Sequence, residues 1–155
     1  MLQGLTDQWM HKSIPILGRA FYTFLHLNKK FSGAPAPQVN PTHVILSVGI
    51  NSRDNLPKTN LDQVKQLVNS SSKFFPKAQI YIPQLNFSAS LTSKERATLE
   101  LLNTHLMELA GQSELESFGT IPPLPQNLFQ TQKDCIHWTP NTANAMICHW
   151  LDYLN

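Results

Sequence analysis

Charge is scarce in this sequence and cysteine nearly absent. Only 14% of the 155 residues are Asp, Glu, Lys or Arg. Lys plus Arg is 12 against 10 Asp plus Glu, a formal net charge of +2 with histidine neutral. That near balance excludes the clustered basic surface of a nucleic-acid module in this domain. Low charge beside 41% hydrophobic residues also excludes intrinsic disorder. The two cysteines, Cys135 and Cys148, cannot build the four- or six-cysteine framework of a stapled secreted domain. No apolar run approaches the ~18 residues of a membrane span. Met1 to Asp7 shows neither a basic start nor the apolar run of a signal peptide. The default reading is therefore cytoplasmic. His11, His26, His43 and His105 have no metal-like spacing, so neither a zinc site nor any cofactor is expected.

What is present is a regular alternation. The length suits one domain, residues 1–155. Val44-Ile45-Leu46-Ser47-Val48 is apolar on both faces and ends at Gly49, as in a buried parallel strand. Ile80-Tyr81-Ile82 before Pro83, Ser13 to Leu17, and Glu116 to Phe118 are shorter candidates. Between them lie helical patterns. Leu61, Val64, Leu67 and Val68 make one stripe; Leu99, Leu102, Leu106 and Leu109 make another. Thr92 and Glu95 have capping-box spacing, and Gly111 closes that helix. Thr139-Pro140 starts a last helix whose stripe runs Ala143, Met146, Ile147, Trp150, Leu151, Leu154. A further helix is expected over Ala20 to Asn28, burying Phe21, Phe24 and Leu25. Pro-rich loops are expected over 31–42 and 120–133. Strands alternating with helices predict an α/β fold with a parallel sheet.

Ligands of open α/β sheets bind at the carboxyl ends of the strands. Two segments belong there: Gly49 to Asp54, and Asp134-Cys135-Ile136-His137 before the last helix. A histidine base needs its second ring nitrogen held by an acceptor, and Asp134 is spaced to hold His137 on a tight turn. Asn51 could offer its amide to a developing oxyanion. Cys135 reads as a small buried hydrophobe, Cys148 and His149 as packing or surface residues, and Ile121 to Pro125 as a stiff loop.

The order of these blocks resembles the SGNH (GDSL-type) hydrolases, esterases and lipases of flavodoxin-like α/β/α fold. It is most similar to the esterase domain carried by the first open reading frame protein of fish LINE-type retrotransposons. The resemblance rests on Val44 to Arg53, Ile80 to Ser88, and Leu128 to Thr131 followed by Asp134 to Thr139, and covers about residue 13 to the end. It implies that His137 is the general base and Asp134 its orienting acid, and that Asn51 and Gly18 form the oxyanion hole. Two departures stand out. Ser52 occupies the place of the family's Asp after Asn51, and no Gly-Asp-Ser nucleophile block occurs anywhere. Gly4-Leu5-Thr6 is the nearest shape, but Thr6 and Gly18 are too close for an intervening helix and strand. The expectation is a three-layer α/β/α domain, truncated at its N-terminus and lacking its first, central strand. Its function would be that of an acyl or acetyl esterase domain, inactive for want of a nucleophile. The alternative is a non-catalytic binding or assembly remnant of a retroelement protein. The expected partners are a small acyl ester if the site works and no nucleic acid through this domain, with self-association left open.

Overall fold

The structure, a computed structural model, describes residues 10–11, 14–15, 23–33, 40–112 and 115–155. In chain order the elements are β1 (Met10–His11), β2 (Ile14–Pro15), α1 (Phe24–Gly33), β3 (His43–Ile45), α2 (Pro57–Phe74), β4 (Gln79–Tyr81), α3 (Ser93–Ala110), β5 (Phe118–Gly119) and α4 (Pro140–Leu154). Strands β3, β4 and β5 form a parallel sheet in that order. Its register pairs Val44 with Ile80 and Ile80 with Phe118. Helices α2 and α3 are the crossovers that a parallel sheet demands.

Alternation along the strands sorts the side chains into two cores. Leu46, Val48, Ile80, Ile82 and Phe118 join one cluster with Val64, Leu67 and Val68 of α2 and Leu99, Leu102, Leu106 and Leu109 of α3. Ile45 and Tyr81 point the other way, into a cluster with Met146, Ile147 and Trp150 of α4. The result is a three-layer mixed α/β fold: α1, α2 and α3, then the sheet, then α4. Burial of both strand faces explains why Val44 to Val48 reads as an unbroken apolar run.

The helix signals are built as their residues dictate. Thr92 Oγ1 accepts from Glu95 N–H at 3.1 Å, and Glu95 Oε1 accepts from Thr92 N–H at 3.0 Å. Thr139 Oγ1 accepts from Thr142 N–H at 3.2 Å, with Pro140 at the first helical position. Gly111 caps α3 at an ordinary φ of −84°, so its conformational freedom is not what ends that helix. Helix α2 is longer than its stripe and closes before Pro76, as proline requires.

Three expectations are corrected. Of the expected strand Ser13 to Leu17, the described residues Ile14 and Pro15 pair antiparallel with Met10–His11, outside the parallel sheet. Pairing across a few residues closes a far shorter loop than pairing with β3, and Pro15 has no N–H for a central ladder. Helix α1 extends to Gly33 and so takes the start of the expected 31–42 loop. Its inner face is Phe24 and Leu27, with Phe31 half-buried, while Leu25 is 41% exposed. Leu25 sits about 100° round the helix from Phe24, so the two cannot share one buried stripe. Phe21 and Gly18 lie outside the described residues.

Candidate active site

The segment between β5 and α4 is a shaped loop. Thr131 and Trp138 form an antiparallel bridge, and Gln132 N–H donates to the His137 carbonyl at 2.7 Å. Four residues remain to turn the chain, and Asp134 organises them. Its Oδ1 accepts from the backbone N–H groups of Ile136 and His137, each at 2.9 Å. Its Oδ2 accepts from His137 Nδ1. Cys135 takes the tightest position of this turn, at φ +62°. That is an uncommon conformation for a residue with a Cβ. Cys135 is half-buried against the larger core, close to its expected role, and both Cys135 and Cys148 are free thiols.

Three donors converge on one carboxylate. The His137 ring, followed by the N–H groups of Ile136 and His137, holds the Asp134 pKa down from 3.8 to about 2. The carboxylate is therefore ionised at neutral pH and can only accept. In the neutral ring Nδ1 of His137 then carries the proton, and Nε2 is the acceptor nitrogen. The pair is open to water, with side chains 45% and 27% exposed.

Asn51 sits on a 3-10 turn, Ile50–Ser52, just past β3. Gly49 enters that turn at φ +134°, and a Cβ there would lie 2.9 Å from Leu85 Cδ1. Only glycine combines that backbone with that approach. Gly49→Ala is thus expected to destabilise the fold by about 1–3 kcal/mol, measured by urea denaturation. An unchanged midpoint would show the turn to be soft. Beyond Asn51, Arg53 donates to the Ile50 carbonyl and to Glu95 Oε2, both at 3.0 Å. Asn60, itself buried, donates to the Ser52 carbonyl at 3.1 Å. The turn is therefore tied to the start of α3 and to α2. Ser52 is buried as well.

The turn with Asn51 and the turn with Asp134 and His137 border one apolar cluster: Ile50, Cys135 and Ile136 all pack on the larger core. The chain that follows β4 is held by amides absent from the expected site. Asn103 of α3 accepts from Leu85 N–H at 2.7 Å and donates to the Leu85 carbonyl at 2.9 Å. Asn86 makes the same two-way clasp with Leu124, at 2.9 and 2.7 Å. Asn60 and Asn103 had a visible signal: each is a polar residue on an apolar helical stripe. Asn86 has no such signal.

The Pro-rich segment Ile121 to Pro125 is a packed strut. Ile121 and Leu124 are buried, and His149 Nε2 donates to the Pro122 carbonyl at 2.7 Å. Trp138 and Trp150 meet edge to face at 6.1 Å in the smaller core. Among the described residues no group of three or more His, Cys, Asp or Glu could hold a metal ion, and no helix is long and apolar enough to cross a membrane. Comparison with models of known protein families and with curated proteins gave no match.

Proposed function

We propose that this chain is a hydrolase scaffold of the SGNH kind, carrying the base half of an acyl-ester site without the nucleophile. The observation that supports this most is the state of Asp134. An ionised carboxylate shared among two backbone N–H groups and His137 Nδ1 fixes the tautomer a general base needs. The held turn at Asn51, past a parallel strand, is where an oxyanion donor belongs. The sequence holds no Gly-Asp-Ser, and Ser52 is buried within the Asn51 turn. Acyl transfer in the family's manner needs the nucleophile of that block, which this sequence does not have. The chain is therefore catalytically silent in this proposal, and binding or assembly is the role left to such a scaffold.

The test is turnover of a short-chain p-nitrophenyl ester by the purified chain, beside His137→Ala and with a serine-directed fluorophosphonate. The expected result is equal rates for both proteins and no labelled peptide. Turnover lost in His137→Ala, with one serine or threonine labelled, would overturn the silent reading and identify the nucleophile.

A further inference from the structure

The groove between α1 and α2 lies away from the Asp134 turn and has its own chemistry. It is an open groove of about 630 Å³, a volume within the ~300–1,000 Å³ of small-molecule sites. Gln66, Asn69 and Lys73 of α2 line it at helical spacing, Asn28 lines it from α1, and Asn40 lines it from the segment before β3. None of these five side chains has a hydrogen bond or ion pair among the described residues. Among the described residues, four amides and one ammonium thus face the groove without a protein partner, and Asn40, Gln66, Asn69 and Lys73 are exposed to water and to a ligand. Phe31 and Phe74, ring centroids 5.2 Å apart, supply apolar wall. Among the described residues, no acidic side chain lines the groove. Residues 23–77, which build it, carry seven Lys and Arg against two Asp.

We propose that this groove binds an anionic sugar. Side-chain amides both donate and accept, which matches hydroxyl groups that do the same. The phenyl walls suit the C–H face of a pyranose ring. Lys73, with the positive surroundings of α1 and α2, takes the anionic group in a charge-assisted hydrogen bond. That group is a phosphate or a carboxylate, since both present oxygen acceptors to one ammonium. The inference stands independently of the hydrolase reading, because it shares no residue with the Asp134 turn.

The test is a ¹H–¹⁵N NMR titration of the full chain with glucose 6-phosphate, glucuronate, glucose and inorganic phosphate. Saturable shifts at the Asn28 and Asn69 side-chain amides are expected with at least one anionic sugar, at a dissociation constant of about 1 mM. Glucose and phosphate alone should each bind about tenfold more weakly. The stronger of the two anionic sugars identifies the anion. Lys73 and Asn69 are exposed, so Lys73→Gln and Asn69→Ala should fold, and each should weaken binding about tenfold. No saturable shift with either anionic sugar would overturn the proposal. So would unchanged affinity in Lys73→Gln, or inorganic phosphate binding as tightly as the sugar phosphate.

Discussion

Asn86→Ala is expected to be among the most damaging single substitutions outside the apolar core. The Asn86 amide satisfies both the N–H and the carbonyl of Leu124, and both residues are buried. Alanine leaves those two groups unpaired at about 1–3 kcal/mol each, a large share of a typical stability of about 5–15 kcal/mol. Asn86→Asp separates the two bonds. It keeps an acceptor for Leu124 N–H but turns the donor into a second acceptor facing the Leu124 carbonyl. It should cost at least as much as alanine at neutral pH. Urea denaturation of both variants measures the effect. A change within about 0.5 kcal/mol, the range of ordinary surface substitutions, would show that water replaces the clasp. Because Asn103 holds Leu85 and Asn86 is the next residue of that loop, the double variant Asn86→Ala/Asn103→Ala should be less than additive.

Asp134→Asn is expected to reverse the tautomer of His137. The carboxylate uses both oxygens, Oδ1 for two backbone N–H groups and Oδ2 for the ring. An amide has a single acceptor oxygen. If that oxygen keeps the backbone bonds, the NH₂ group faces Nδ1, which must then accept, and the proton moves to Nε2. Ring ¹⁵N shifts of neutral His137 report this directly: Nδ1–H in the parent, Nε2–H in the variant. An unchanged tautomer would mean that the carboxylate does not set it, and the base reading would fall with it. Acid should undo the same turn. The folded pKa of Asp134 lies near 2, below its ordinary 3.8. The stabilisation from ionised Asp134 is therefore complete above about pH 4 and lost as the pH falls through about 2. The amide shifts of Ile136 and His137 should follow that titration. A midpoint near pH 4 instead would show the three bonds to be weak.

The Asp134 turn was legible because the bonds of its carboxylate join residues two or three apart. The same holds for the capping box of Thr92 and Glu95 and for the cap at Thr139. Local spacing specifies such contacts whatever the rest of the chain does. Stripes of leucine and valine likewise placed α2, α3 and α4, since a 3.6-residue period has one geometric meaning. Helix α1 was harder: Phe24, Leu25, Leu27 and Phe31 offer more than one stripe, and only packing against α2 chose the face that excludes Leu25.

Residues 1–155 by themselves determined an alternating α/β chain with an Asp-x-x-His turn before its last helix and no Gly-Asp-Ser. Each of those is a property of short windows or of composition. Tertiary structure alone decided that β3, β4 and β5 share one sheet while β2 pairs with β1. It also decided that Asn86 clasps a residue 38 positions away, and that amides of α1 and α2 face one groove. Such contacts carry no local signature. They arise when burial of both sheet faces brings distant segments together, and the polar groups caught there must then find partners in one another.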